Sequence, residues 1–259
     1  GGRGGGSDRR WAIQCRGSCR RLDARHGARK HNAGMGTLYL VRHGQASFGA
    51  DDYDRLSDLG RRQSLRLGQY LRQRFGDRLA FDTVLTGTLR RQIHTWEALA
   101  EGAGLTTPRT PWPGLNEYDS HAVLEAIHPE PLPKPDTPEL YRHHFRLLRE
   151  GLAAWMEGRV APRGMPSYAD FVRGVTGALD HVREHSGGNA LIVSSGGPIA
   201  TAVGQVLGTA AETTIELNLR IRNTSITEFA FTPKRHMLVT YNTLPHLDGA
   251  EFDDWITYA

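Results

Sequence analysis

The chain of 259 residues carries a formal net charge of +4 and is 39% hydrophobic, enough for one large domain or two small ones with a real core. Its basicity is confined to residues 1–34, which hold nine Arg or Lys against two Asp, while the remainder has 23 basic and 26 acidic residues, a net −3, so the body is not read as a nucleic-acid binder. Both cysteines, Cys15 and Cys19, lie in that leader, which excludes a disulfide framework or cysteine-ligated zinc in the body, and no apolar run reaches the ~18 residues of a membrane span.

Residues 1–34 are rich in Gly and Arg and almost free of aliphatics, so they are expected to be disordered. Such a leader reads as a basic arm for RNA, as an Arg-rich targeting peptide without an amphipathic face, or as a segment outside the native protein. Met35, two residues before the first predicted strand, stands where an initiator would, which favours the last reading. Cys15-x3-Cys19 with His26 and His31 imitates a zinc site, but the segment lacks a hydrophobic pattern, and no metal or other cofactor is expected. No secretory signal is recognisable, so a cytoplasmic protein is expected.

From Thr37 onward strands and helices alternate. TLYLVR (37–42) is an apolar strand. LSDLGRRQSLRLGQYLRQRF (56–75) sets Leu59, Leu65, Leu67 and Leu71 near a 3.6 period, with Ser57 or Asp58 as N-cap. FDTVLTG (81–87) is a second strand, and LRRQIHTWEALAEGAG (89–104) a helix closed by glycines. Over about 121–165 the alternation gives way to a Pro-rich loop and a helix at 138–160, read as an insertion over the carboxyl ends of the strands. SYADFVRGVTGALDHVREH (167–185) is the next amphipathic helix. NALIVSSGG (189–197) is a third strand, followed by a helix over 198–208 with Pro in its first turn. SITEFAFT (225–232) and MLVTYNT (237–243) complete the pattern. This order predicts a three-layer α/β/α domain over 35–259 with a mostly parallel central sheet.

In open α/β sheets ligands collect at the carboxyl ends of strands. Here those ends read Arg42-His43-Gly44-Gln45, Thr86-Gly87-Thr88-Leu89-Arg90-Arg91 and Ser194-Ser195-Gly196-Gly197. Arginine forks match phosphate oxygens, and a helix N-terminus offers unpaired N–H groups. A histidine beside those arginines can attack phosphorus, and the cations lower its pKa below the ~6.5 reference, keeping it neutral. Gly44 lets backbone and substrate approach closely.

These motifs, in this order, resemble the histidine phosphatase superfamily, also called the phosphoglycerate mutase-like family, over about residues 37–247. YLVRHGQ is similar to the family's phosphohistidine signature and places it on His43. LSDLGRRQ resembles the helix start, TGTLRRQIHT the second-arginine motif with its arginine at Arg91, LNEY the acid at Glu117, and NTSIT (223–227) a late strand. The resemblance implies a phosphomonoesterase, of histidine-type acid phosphatase kind, in which Arg42, Arg91, Gln45 and Gly196 bind the phosphoryl group. His43 accepts it, and Glu117 protonates the leaving oxygen and then activates water. Asp119 is the fallback acid. The expected substrate is a small-molecule phosphomonoester or a phosphoprotein.

The family's Ser-His-Gly-Gly is here Ser194-Ser195-Gly196-Gly197, so Ser195 stands where a second histidine is expected. A hydroxyl still donates a bond but brings no charge, and losing one such donor costs ~10²–10³ in rate. A phosphoester-binding protein that has lost catalysis, and a phosphoglycerate mutase, stay open as second and third readings. His246 is the candidate to replace the missing imidazole. His181 and His185 share a helix face by spacing and read as solvated. Arg142, Arg146 and Arg149 on the inserted helix read either as substrate selectors or as a solvated face.

Overall fold

The structure, a computed structural model, describes residues 35–47, 54–134 and 136–258; the leader with its cysteines lies outside them. Six strands form one sheet: β1 (Gly36–Arg42), β2 (Thr83–Thr86), β3 (Thr110–Pro111), β4 (Asn189–Ser194), β5 (Ile226–Thr232) and β6 (Arg235–Thr243). Their order is β3-β2-β4-β1-β5-β6; β3-β2, β2-β4 and β4-β1 pair in parallel, and β5 pairs antiparallel with both β1 and β6. The helices are α1 (Asp58–Phe75), α2 (Arg90–Ala103), α3 (Ser120–Ile127), α4 (Pro138–Met156), α5 (Tyr168–His185), α6 (Gly196–Leu207) and α7 (Ala211–Arg220).

Period-two alternation along the strands divides the core between the two faces of the sheet. Leu38 and Leu40 of β1 and Ile192 of β4 join one cluster with Leu152, Trp155, Phe171, Val175 and Ile199 from α4, α5 and α6. Val41, Leu191 and Val193 join the other with Leu67 and Leu71 of α1 and Trp96 and Leu99 of α2. The predicted α/β/α layering is therefore observed. The helix over 138–156 is part of the first core layer through Leu148, Leu152 and Trp155 as well as belonging to the interrupted stretch.

Local signals fix most helix ends. Ser57 Oγ accepts from Gly60 N–H and caps α1. Gly104, in the left-handed region at φ +61°, closes α2. One boundary moves: β4 stops at Ser194 and α6 begins at Gly196, so Pro198 is its third residue. No helix among the described residues is long and apolar enough to cross a membrane.

Helices α1 and α2 pack closely where Gly68 faces α2, because a Cβ there would overlap the Leu99 carbonyl oxygen. Gly68→Ala gains ~1 kcal/mol of helix propensity. Overpacking against a backbone atom that cannot turn aside costs about 1–3 kcal/mol and is the larger effect. Urea denaturation of Gly68→Ala is expected to show a lower midpoint with an unchanged slope.

Candidate active site

The three strand ends meet because β4 lies between β1 and β2, with all three parallel. His43, buried at the end of β1, donates its backbone N–H to Ser194 O at the end of β4 (2.9 Å). Its carbonyl accepts from Asn223 Nδ2 (3.1 Å) and from the Thr224 N–H (3.3 Å). Thr224 adopts φ +55°, a region β-branched residues rarely enter, at a cost of roughly 1–3 kcal/mol. Its N–H bonds to both Arg42 O and His43 O accompany that conformation. On the other side Gly44 N–H donates to Thr95 Oγ1 (2.9 Å), whose hydroxyl donates to Arg91 O (2.7 Å). The loop is thus pinned to β4, to α2 and to the turn before β5.

Imidazole Nδ1 lies 2.7 Å from Gly44 O. A carbonyl only accepts, so Nδ1 carries the proton and Nε2 presents a lone pair. Arg91 Nε–H donates to that Nε2 (3.3 Å). Burial first, then the charges of Arg42 and Arg91, hold His43 well below the ordinary imidazole value, against the opposing effect of the Gly44 bond. The neutrality expected from the arginines is therefore present, with burial as the larger cause.

Both arginines are anchored. Arg91 Nη1 pairs with Asp54 Oδ1 (2.8 Å), and Asp54 Oδ2 accepts the Arg90 N–H that opens α2 (2.8 Å). Arg42 Nη1 donates to the carbonyls of Ile221 (2.6 Å) and Tyr258 (2.7 Å).

Glu117 follows a turn fastened to the core, where Leu115 O accepts from Gln92 Nε2 (2.9 Å) and from Ser194 Oγ (2.7 Å). Its carboxylate accepts the Gly197 N–H through both oxygens (3.0 and 3.2 Å). The N-terminus of α6, expected to meet phosphate, is thus turned partly to Glu117. Burial pushes the Glu117 carboxyl up, outweighing the Gly197 amide, Arg42, Arg91 and the Tyr118 amide. The same two guanidiniums act on His43 and Glu117, which places all four groups in one electrostatic neighbourhood.

Other expected residues are placed differently. Ser195 is fully buried as the N-cap residue of α6, and its Oγ accepts from Gln92 Nε2 (2.9 Å). Gly196 opens α6, packed so that a Cβ would crowd Asn218 and Ile221. Gln45 is tied to α1: its Oε1 accepts from Ser57 Oγ (2.8 Å) and its N–H donates to Gln63 Oε1 (2.9 Å). What crowds Gly44 is the Gly60 carbonyl and Ser64 Oγ of α1, so a requirement for its missing Cβ comes from helix packing. Asp119 caps α3 by accepting from His121 and Ala122. His246 is buried behind Thr224, bonded through Nε2 to its hydroxyl (3.0 Å), which accepts because its own hydrogen goes to Asn223 O. Arg142 and Arg149 pair with Glu139 and Glu216, and Arg146 meets His143. His181 and His185 stack at 4.1 Å, and among the described residues no group of three or more His, Cys, Asp or Glu is placed to hold a metal. Asp54, Thr95, Asn223 and Thr224 were not among the candidates, although all but Asp54 lie within the motifs TGTLRRQIHT and NTSIT.

A family model described as histidine phosphatase superfamily (branch 1) matches residues 38–244. The chain belongs to the histidine phosphatase superfamily. Solved structures agree in fold. Bacillus stearothermophilus YhfR superposes with TM-score 0.58 at 19% identity, covering 82% of this chain and 98% of that one. An Entamoeba histolytica phosphoserine phosphatase, solved in complex with 3-phosphoglyceric acid, gives 0.57 at 20%, covering 82% and 99%. A Bacillus anthracis phosphoglycerate mutase gives 0.56 at 16%, covering 84% and 97%. No curated protein sequence matches the chain. Histidine phosphatase folds thus surround it at low identity.

A buried, neutral His43 with its proton on Nδ1 has a spectroscopic signature. Long-range ¹H–¹⁵N correlation is expected to show the Nδ1–H tautomer for His43, with no protonation as pH falls through the ordinary 6.5 and well below it. A midpoint near 6.5 would contradict the geometry.

Proposed function

We propose that this histidine phosphatase superfamily member hydrolyses phosphomonoesters through a phosphohistidine on His43. The observation that carries this reading is the Nε2 lone pair of a neutral imidazole facing the Arg91 guanidinium. In the first step Nε2 attacks phosphorus, the P–N bond forms, and the bond from phosphorus to the ester oxygen breaks. The Glu117 carboxyl gives its proton to the departing alkoxide. In the second step Glu117, now ionised, takes a proton from water as the water oxygen attacks phosphorus, and the P–N bond breaks. The sum is ester plus water to alcohol plus phosphate, with His43 and Glu117 restored. Arg42 and Arg91 stabilise the charge on the equatorial oxygens.

The raised pKa of Glu117 supports its role as an acid: a carboxyl pushed up by burial stays protonated further into the range where a substrate is a dianion. Rate falls as pH rises through that elevated value. His43, whose pKa is depressed, imposes no acidic limb near 6.5. Ser195, aligned with the family's second histidine, supports a reduced rate, because its buried hydroxyl is engaged with Gln92 and offers no cation.

His43→Ala is expected to abolish turnover, and rapid quench of wild type into alkali to recover acid-labile phosphate on His43. Transfer of that phosphate to an added alcohol in place of water would mark a mutase. Stable phosphoester binding with neither turnover nor labelling would mark a binding protein.

Glu117→Gln separates the acid from the nucleophile. It is expected to lose about 10²–10⁴ in kcat/KM on an alkyl phosphate, whose leaving group needs the proton. On 4-nitrophenyl phosphate, whose leaving group departs as an anion, the loss should be much smaller, and the alkaline limb of the pH profile should flatten. Ser195→His is expected to raise kcat by up to ~10²–10³, the scale of one lost transition-state donor.

A further inference from the structure

Residues 252–258 lie across α1 and reach the loop of Arg42 and His43. The Arg62 guanidinium sits over the Trp255 ring and that of Arg66 over the Phe252 ring, each 5.0 Å from the ring centroid. Arg62 and Arg66 are four apart on α1, so one face of the helix seats both rings. Phe252 and Trp255 also meet edge to face at 5.3 Å. Gln63, fully buried, completes the seat: its Nε2 donates to Trp255 O (2.6 Å) and to Thr257 Oγ1 (3.0 Å).

Thr257 is the centre of a directed chain of hydrogen bonds. Its hydroxyl accepts from Gln63 Nε2 and donates to Asn223 Oδ1 (2.9 Å). Asn223 Nδ2 in turn donates to His43 O (3.1 Å), and the Asn223 N–H donates to Thr257 O (2.9 Å). At the other end Gln63 Oε1 accepts the Gln45 N–H (2.9 Å). Thr257 thus joins two amide side chains, one holding the loop at His43 and the other at Gln45. The carbonyl of the next residue, Tyr258, accepts from Arg42 Nη1 (2.7 Å).

This chain depends on a single hydrogen. Gln63 and Asn223 are both buried. The two Nε2 hydrogens of Gln63 go to Trp255 O and Thr257 Oγ1, and the one hydroxyl hydrogen of Thr257 goes to Asn223. Bonds in such a series polarise one another in a poorly solvated interior. Without the hydroxyl, a buried N–H of Gln63 and the buried carbonyl of Asn223 lose that partner, and a polar group stripped of its partner costs more than a pair removed together. Both amides are then pulled towards new partners, and these amides hold the residues on either side of Gly44, whose carbonyl sets the imidazole tautomer.

We infer that Thr257 is a positioning residue for the reaction of His43. This rests on the phosphohistidine reading. The hydroxyl acts through Gln63 and Asn223 and not on the phosphoryl group: it holds the loop so that Nε2 faces phosphorus.

The test compares wild type, Thr257→Val and Thr257→Ser on 4-nitrophenyl phosphate, with urea midpoints measured to confirm that each is folded under the assay conditions. Valine keeps the shape and removes the hydroxyl, and serine keeps the hydroxyl. Thr257→Val is expected to lose about 10–100-fold in kcat, the scale of a nucleophile shifted by a fraction of an ångström to one ångström, with KM little changed because the arginines remain. Thr257→Ser is expected to restore most of that loss. A role in stability alone would lower the urea midpoint of the valine variant and leave its kcat unchanged. An unchanged kcat in Thr257→Val, or a serine variant as slow as the valine one, would overturn the inference while leaving hydrolysis through His43 intact. If wild type turns over no phosphomonoester, the hydrolytic reading fails by itself, and long-range ¹H–¹⁵N correlation of His43 decides the role of Thr257. A single Nδ1–H tautomer in wild type and Thr257→Ser but a mixture in Thr257→Val supports positioning of the imidazole, and the same tautomer in all three overturns it.

Discussion

The hydrogen bond from His43 Nδ1 to the carbonyl of its own neighbour, Gly44, is the interaction on which the site depends. It fixes the tautomer and therefore which nitrogen has a lone pair to offer. The bond holds because the loop that makes it is immobilised from several sides. Ser194 takes the His43 N–H, Thr95 takes the Gly44 N–H, and Asn223 and Thr224 take the His43 carbonyl. These partners come from β4, α2 and the turn before β5, so the sheet order that inserts β4 beside β1 is what brings them to one place. Thr224 at φ +55° is the locally strained member of that set, and its strain is matched to the two carbonyls it bonds.

His43 and Glu117 are driven apart in pKa by a shared environment. Burial disfavours the charged form of each, lowering the imidazole and raising the carboxyl. The arginines act in one direction only: they lower both groups, reinforcing burial at His43 and opposing it at Glu117. The amide of Gly197 also opposes it, yet burial prevails. An imidazole held low and a carboxyl held high follow from desolvation acting on groups of opposite charge type.

Much of this architecture was legible in sequence where the cause is local. The apolar run ending at Arg42-His43, the Ser57 cap and the Gly104 stop each depend on a few neighbouring residues. The α6 start was misplaced by two residues because Gly196-Gly197 has turn propensity, whereas Ser195 already serves as the helix N-cap and Pro198 is tolerated inside the first turn. The short β3 has two residues, one of them proline, and pairs only because Leu85 and Thr86 lie beside it. Asp54 sits in a polar stretch without periodicity, and nothing local predicts its pairing with Arg91 across 37 residues. His246 was weighed as a stand-in for the missing imidazole, but the fold buries it one residue layer behind the loop, on Thr224. Gln45 was matched by motif to the phosphoryl group, yet Ser57 holds its carbonyl against α1.

Charge balance ties the acid to binding as well as to chemistry. Around His43 stand two guanidiniums, Arg42 and Arg91, and two carboxyl groups, Asp54 and Glu117. Asp54 already gives Arg91 an oxyanion at 2.8 Å, and so lessens the attraction of that guanidinium for a phosphate. With Glu117 ionised the cations and carboxylates are balanced, and a phosphate dianion meets no net attraction. With Glu117 protonated the cations are in excess. On the proposed mechanism, the burial that raises the Glu117 pKa serves two steps with one proton: it lets the dianion approach the imidazole, and it stays on the carboxyl beside which the leaving oxygen departs. A site that gave its α6 amide wholly to phosphate would weaken this arrangement, because the acid would then keep only the longer Tyr118 N–H bond (3.3 Å). The two bonds from Gly197 to Glu117 commit an amide in the first turn of α6 to a side-chain carboxyl, which on the proposed mechanism is the proton donor.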